Sequence, residues 1–347
     1  MKNVDFIIVG QGIAGSCLAS TLIEKGKSVV IFDNPNHNKA SHVAAGMMNP
    51  VVFRRFTTSW KAIEALPFSK EFYRHHETKF GKKMLHEKSM LKVLANEQEI
   101  DFWKDCAKKP DMVPFLNPEP MVLSEEFNGV TVGEVNQTAH LDVPLWLNAL
   151  KDDWKTKNIY FEEDFDYAEL NQSGDLLKYK EIKAEKIVFC EGIKAGENPL
   201  FPKLEFKPAK GELLEISAEA STLTKILKKG IFILPKSDNK FLVGATYEWK
   251  DLEPIPTEKG EKELRQKLEN VFTAPYSINK KLAGIRPTVP DRRALIGFHP
   301  SDKRLSVFNG LGTKGVLLGP YLAHYFTDKL IQNDYDLDPE VDVSRFW

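Results

Sequence analysis

A nearly unbroken apolar run, Val4 to Val9, passes directly into Gly10-Gln11-Gly12-Ile13-Ala14-Gly15, and that junction limits the architectures open to the chain. The run suits a parallel strand buried on both faces. Beyond the glycines the pattern predicts a helix with Leu18 and Leu22 on one face, ended by Gly26, and then a second apolar strand from Ser28 to Phe32. Strand, glycine turn, helix and strand form the context in which such a motif binds a dinucleotide. Gly10 permits the tight turn, Gly12 lets backbone approach a pyrophosphate, and Gly15 lets helix pack on strand. Ile13 and Ala14 open the helix, whose N-terminal N–H groups and dipole favour negative charge. Asp33 ends the second strand about 20 residues on, where a carboxylate can accept from adenosine ribose hydroxyls. The motif alone does not separate FAD from NAD, and a chance glycine-rich turn is its bland alternative.

Three more segments carry the same small-residue character far along the chain. They are Ser41-His42-Val43-Ala44-Ala45-Gly46-Met47-Met48-Asn49-Pro50, Gly284-Ile285-Arg286-Pro287 and Gly310-Leu311-Gly312-Thr313-Lys314-Gly315. Their order and separation suggest an FAD site closed by the two ends of the chain. The last of them follows a predicted strand, Leu305 to Phe308, and opens a helix, so its N–H groups can face an anion.

With 347 residues the chain suits two domains, and their organisation reads as interleaved. Trp60, Ile63, Phe72, Tyr73 and Phe80 recur at helical spacing, with Pro67 expected to break the run and His75-His76 expected to face water. Asn96 with Glu99 resembles a capping box, and Asp142 and Thr257 are further cap candidates. Residues 208 to 250 change character: Gly211 to Ile216, Ile231 to Pro235 and Phe241 to Ala245 are short strands bounded by turn residues, which suggests an antiparallel sheet. The acidic end, Asp334 to Trp347, is expected to lie over the surface. The fold class is therefore α/β with an α+β substrate part. A Rossmann-like FAD-binding domain is expected over 1–80, 140–206 and 284–347, and a substrate domain over 81–139 and 207–283, with ligand between them.

Composition narrows the function classes. A formal net charge of −1 offers no general attraction to nucleic acid or to an anionic membrane. Cys17, Cys106 and Cys190 are scattered, giving neither a disulfide framework nor a zinc site. The sequence starts straight into a strand and has no apolar run near the ~20 residues that span a bilayer, so a cytoplasmic location is expected.

Across nearly its whole length the chain resembles the D-amino-acid oxidase superfamily of FAD-dependent amine oxidoreductases, in particular its glycine oxidase, sarcosine oxidase and tRNA-modifying members. The resemblance rests on Ala44-Ala45-Gly46, on Lys210-Gly211-Glu212, on Phe241 through Glu248 and on Gly284 through Arg292. It implies a fold like p-hydroxybenzoate hydroxylase, with an antiparallel sheet over the flavin. It also implies that Ser41 to Pro50, including Ala44, Ala45, Gly46, Met47 and Met48, runs past the pyrophosphate and under the isoalloxazine, and that Gly192 lies near the adenosine half. In such proteins the loop holding Gly310, Gly312, Thr313, Lys314 and Gly315 stabilises reduced flavin. Lys314 adds a charge there unless it is simply a solvated lysine. Nothing in the sequence demands a covalent flavin link, so the FAD is expected to be non-covalent.

Arg286 is the expected carboxylate clamp, since a guanidinium offers a planar fork for bidentate binding; a structural ion pair is the competing role. Tyr247 is the candidate hydroxyl facing the amine or carboxylate. The chain departs from glycine and D-amino-acid oxidases at Phe232, where the resemblance calls for a tyrosine. Hydride transfer from a neutral amine to flavin N5, then imine hydrolysis, needs no acid–base triad, and none is evident. The leading expectation is oxidation of a small carboxylate-bearing amine, with oxygen or another electron acceptor. A tRNA-modifying oxidoreductase acting on a carboxymethylaminomethyl uridine and a non-catalytic flavin-binding protein are the alternatives.

Overall fold

The computed structural model describes residues 1–34 and 39–347. The first apolar run becomes the strand Lys2–Val9, flanked by the parallel strands Val29–Phe32 and Ile182–Phe189, with Ile7 opposite both Val30 and Ile187. Tyr160–Phe161 and Leu305–Asn309 extend the parallel array on its two sides. The run is apolar throughout because both faces are covered. Ile8 and Ile31 enter one core cluster while Ile7 and Val30 enter another across the sheet. Each such side chain contributes about 1.5–3 kcal/mol by leaving water. The helices Ile13–Glu24 and Gly315–Gln332 pack on one another over the first face, so the two ends of the chain meet there.

The second sheet has the order Ser277–Arg286, Ala209–Ser217, Lys240–Gly244, Ile231–Pro235, Ile226–Lys229, Met90–Val93, Thr131–Val135 and Met121–Val122. It is mixed, not purely antiparallel as expected, because Ile226–Lys229 runs parallel to Met90–Val93. Those two strands come from distant parts of the chain, and no hairpin dictates their direction. The helix Glu258–Glu269 covers the outer face with Leu264 and Leu268, leaving Leu213, Phe232 and Met90 on the inner face. Ser277–Arg286 stays paired through Arg286, which lies opposite Ala209, so the division expected at 284 falls inside a strand. A small sheet of Met47–Met48, Ala139–Leu141 and Leu85–Glu87 joins the two halves.

The three caps form as read: Asn96, Asp142 and Thr257 accept from Glu99, Leu145 and Gly260 N–H. Three expectations need correction. The helix Ala62–Phe80 runs through Pro67, which removes one hydrogen bond near the helix start without ending it. His76 is fully buried, because helical period places it with Phe72, Tyr73 and Phe80 on the inner face; only His75 meets water. The terminal segment is anchored, with Val341 and Val343 buried and the Ile296 N–H donating to the Val341 carbonyl.

Gly15 is where the glycine turn tolerates least, since a Cβ there would lie 1.9 Å from the Gly10 carbonyl oxygen. Gly15→Ala is therefore expected to lower the thermal midpoint of the apoprotein and to weaken FAD binding at least tenfold. Fluorescence titration with FAD beside apoprotein melting checks both.

Candidate flavin and substrate site

A cavity of about 830 Å³ opens where the carboxyl ends of the parallel strands meet the inner face of the second sheet. Val9, Phe32, Cys190 and Asn309, each at or just past a strand end, line it. At this end Gly10, Gly12, Ile13 and Ala14 form the wall, while Gly15 stands behind them. Gly10 has φ 101°, and a Cβ on it would lie 2.6 Å from the Cys190 carbonyl oxygen. Gly12 caps the helix Ile13–Glu24 without a side chain, and Ser41 Oγ accepts the Ile13 N–H at 3.1 Å.

Asp33 is buried at the cavity wall and already engaged. Oδ1 accepts the Gln11 N–H at 2.8 Å, and Oδ2 accepts from the Tyr160 hydroxyl at 2.7 Å and pairs with Lys39. Its first effect is thus to fix the glycine turn against the second strand, and its remaining acceptor capacity is what a ribose could use. Gly192, with φ 59°, lines the cavity, and its carbonyl accepts Asn309 Nδ2 at 2.8 Å. Beside it Glu191 accepts from Tyr167 and Asn198, and burial pushes its carboxyl above the usual range.

Further in, Ala44, Ala45, Gly46 and Met47 form a wall of small groups and backbone. A Cβ on Gly46 would lie 2.0 Å from the Leu141 carbonyl oxygen. His140 holds this turn: its Nδ1 lies 2.8 Å from the Ala45 carbonyl, and Lys236 Nζ lies 3.0 Å from its Nε2. Because the lysine donates to Nε2, the tautomer assigned here carries its proton on Nδ1 and donates to Ala45. Burial, reinforced by Lys236, holds the His140 pKa down to about 3, so the ring stays neutral. Met48 departs from expectation. Strand alternation turns its side chain into the core, opposite Ala139, and away from the cavity.

The last glycine loop brings Gly312, Thr313, Lys314 and Gly315 to the wall, whereas Gly310 turns away and backs onto Leu295. Lys314 is no solvated lysine. Its Nζ donates to the Asn49 carbonyl at 2.9 Å and to Ser59 Oγ at 2.8 Å, and burial lowers its pKa to about 8. Both partners are neutral, so its charge remains available to the cavity.

Arg286 reaches across the neighbouring strand into the substrate end. A Cβ on Gly211 would lie 2.0 Å from its Nη2, so only glycine leaves room for the guanidinium. Nη1 and Nη2 each lie 3.4 Å from the Thr246 carbonyl oxygen, and the guanidinium carbon sits 4.4 Å from the Tyr247 ring centroid. No carboxylate lies within ion-pair distance of it among the described residues, in contrast to Arg293, Arg304 and Arg345, which pair with Glu340, Asp302 and Asp291. Among the described residues Arg286 therefore makes no structural ion pair. Tyr247 lines the cavity as a 54% exposed side chain stacked on Trp249, with centroids 6.0 Å apart. Phe232 lines the same end and is buried, so the position brings no hydroxyl.

The sequence does not single out Lys228, His140 or Ser59 as site residues, and it brings in Asn49 only as part of the Ser41 to Pro50 segment. For Lys228 the alternation of Ile226–Lys229, which puts residues 226 and 228 on one face, was the available signal. His140 holds the carbonyl of a distant segment, while the Asn49 carbonyl and Ser59 Oγ both accept from the distant Lys314, and such long-range bonds leave no local pattern.

The donor groups fit a flavin dinucleotide: a glycine-capped helix N-terminus at one end, a backbone-lined passage in the middle and an isolated lysine and arginine at the other. The chain belongs to the FAD dependent oxidoreductase (DAO) family, whose pattern it matches over residues 5–329. The family makes it an FAD dependent oxidoreductase. It is 25% identical to the tRNA 5-methylaminomethyl-2-thiouridine biosynthesis bifunctional protein MnmC of Marinobacter nauticus over 94% of this chain but 55% of that protein, so it spans about half that relative's length. It is 24% identical to glycine oxidase of Bacillus licheniformis, covering 96% of this chain and 94% of that one. The solved structure of glycine oxidase from Bacillus cereus superposes with a TM-score of 0.80 at 19% identity, covering 95% of this chain and 96% of that one. Among the described residues no helix is long and apolar enough to cross a membrane.

Buried neutral histidines set a pH dependence. Burial holds both His76 and His140 down to about 3, against an ordinary value of 6.5. As pH falls below 6.5 the unfolded chain binds protons that the native protein refuses, so stability is lost, by at most about 1.4 kcal/mol per pH unit for each histidine. Urea unfolding between pH 7.5 and 5 is expected to show this decline, with a shallower slope in His140→Gln.

Proposed function

We propose that this chain oxidises the C–N bond of a small amine that carries a carboxylate, an amino acid or N-alkyl amino acid. The observation that carries this reading is Arg286: a desolvated guanidinium facing the cavity, with two weak contacts to one carbonyl and, among the described residues, no carboxylate beside it. A buried unpaired charge is costly, and a bidentate substrate carboxylate is the group that would satisfy it.

The residues divide the work along the cavity. Gly12, Ile13 and Ala14 would hold the pyrophosphate of FAD, Ala44 to Met47 the passage to its ring, and Gly312 to Gly315 the far edge. Bound there, FAD supplies the acceptor for the substrate's α-hydrogen and its electron pair, and the resulting imine is hydrolysed by water. Arg286 fixes the carboxylate end and so limits which substrate hydrogen can face inward. Leu213, Phe232 and Met90 make that end apolar, and together with the arginine charge they disfavour an ammonium and favour the neutral amine that the reaction needs. Lys314 places a positive charge at the glycine loop, where it favours negative charge that develops on reduction.

A second reading is favoured by the exposed Tyr247–Trp249 pair at the cavity mouth. A planar ring attached to a glycine unit could stack there, as in the carboxymethylaminomethyl uridine of a tRNA. The net charge of −1 counts against a nucleic-acid surface, so the small amine stands first.

The test is anaerobic bleaching of the flavin band near ~450 nm with glycine, sarcosine, proline and D-amino acids. At least one is expected to bleach the wild-type protein. Arg286→Ala should weaken that substrate about 30-fold or more, the lower end of the ~2–5 kcal/mol lost when one partner of a buried charge pair is removed. Bleaching unaffected by Arg286→Ala would sink carboxylate recognition at this residue. No bleaching by any small amine would direct the search to tRNA-linked substrates.

A further inference from the structure

Lys228 stands across the same cavity from Arg286, and no role in the amine chemistry above uses it. The sheet pairing fixes its place: Lys228 lies opposite Phe232, Phe232 opposite Gly244, and Gly244 opposite Leu213. Lys228, Phe232 and Leu213 all line the cavity. The row spans three strand spacings, about 14 Å at ~4.8 Å each. The Arg286 guanidinium lies over Gly211, which is two residues from Leu213 and shares its face. An apolar floor of Phe232 and Leu213 therefore carries a cation at either end.

The partners of Lys228 make it unlike its neighbours. Lys92, Lys225 and Lys267 each have a carboxylate, from Glu99, Glu134 and Glu263. Lys229, on the opposite face of the strand, donates to the Asn270 carbonyl at the end of the helix Glu258–Glu269. Lys228 donates to the Gly230 carbonyl at 2.9 Å and has no carboxylate within ion-pair distance among the described residues. Burial, with repulsion from Lys92 and Lys267, lowers its pKa to about 8, and an anion in the cavity would relieve both effects. A surface lysine needs no partner, but a half-buried one that faces a ligand cavity is a poor use of a charge unless something negative meets it.

We propose that Lys228 is a second anion subsite, so that the preferred substrate is a glycine-type secondary amine whose N-substituent ends in a carboxylate or a phosphate. This rests on the amine-oxidation reading for the reaction but not for the binding. Arg286 takes the carboxylate next to the reacting carbon, the N-substituent crosses Leu213 and Phe232, and its terminal anion meets Lys228. The arrangement accounts for the apolar floor at Phe232, since a spacer of methylene groups has no use for a hydroxyl there.

The experiment is an equilibrium titration of the oxidised FAD holoenzyme, read from the perturbation of the flavin absorbance. The ligands are propionate, glutarate, adipate and 4-phosphonobutyrate, none of which carries an amine. In wild type the best ligand with a second anion should bind at least tenfold more tightly than propionate. Lys228→Met should erase that preference while leaving propionate unchanged, Lys228→Arg should keep it, and Lys229→Met should behave as wild type. A phosphonate preferred over both dicarboxylates identifies the second group as phosphate, and the reverse order identifies carboxylate. A wild type that does not distinguish propionate from the others, or a preference that survives Lys228→Met, overturns the subsite. A parallel arm compares flavin reduction by N-ethylglycine and N-(2-carboxyethyl)glycine. If neither reduces the flavin, amine oxidation is what fails, and the binding titration still decides the subsite.

Discussion

Arg286 carries a charge that the protein desolvates and then leaves unmatched, and much of the surrounding architecture exists to hold it that way. Gly211 has no side chain because the guanidinium crosses its backbone. Thr246, whose carbonyl gives Arg286 its polar contact, accepts the Glu212 N–H at its hydroxyl. Glu212 in turn binds both the N–H and the hydroxyl of Thr257 and so pins the helix Glu258–Glu269 to the same strand. Lys210 is buried and paired with Asp251, closing the loop from the other side. Every carboxylate in this neighbourhood is committed elsewhere. That is the condition under which a cation in a cavity remains free for a ligand.

The flavin end is built on a different principle, in which hydrogen bonds tie segments that are remote in sequence. His140 fixes the Ala45 carbonyl, Lys314 ties Asn49 to Ser59, and Asn309 holds the Gly192 carbonyl. Each contact joins parts of the chain that the parallel sheet has already brought close, and each rigidifies backbone where a ligand must approach within van der Waals range. Glycine appears at Gly10 and Gly46 because the next strand's carbonyl occupies the space of a Cβ. The substrate end, by contrast, relies on apolar side chains and isolated charge, which suits a reaction needing a dry, oriented amine more than a proton relay.

The contrast explains what could be read in advance. The glycine turn, the helix behind it and the caps at Asn96, Asp142 and Thr257 follow from local rules, and so they were legible. The approach of Arg286 to a glycine on the next strand is hinted at by Lys210-Gly211-Glu212, but the missing acidic partner is a fact of three-dimensional placement. His76 was misread because the polar letters around it belong to the outer face of the same helix, while its i±4 neighbours are aromatic. Met48 and Gly310 sit inside segments that do reach the cavity, and strand alternation or the turn points them away. Lys228 illustrates the remaining gap. Nothing local tells Lys228 from Lys229 until the sheet turns only the first toward the cavity.

In the proposed reaction Arg286 receives a substrate carboxylate above a flavin held by both ends of the chain. A crystal structure of the FAD holoprotein with propionate, a carboxylate without the reacting amine, tests it most directly. The propionate carboxylate is expected within hydrogen-bond distance of Arg286 Nη1 and Nη2, with its alkyl end toward the flavin ring, between Ala44–Met47 and the Gly312–Gly315 loop. A carboxylate bound at Lys314 with Arg286 unoccupied, or a flavin seated elsewhere than this cavity, would contradict it.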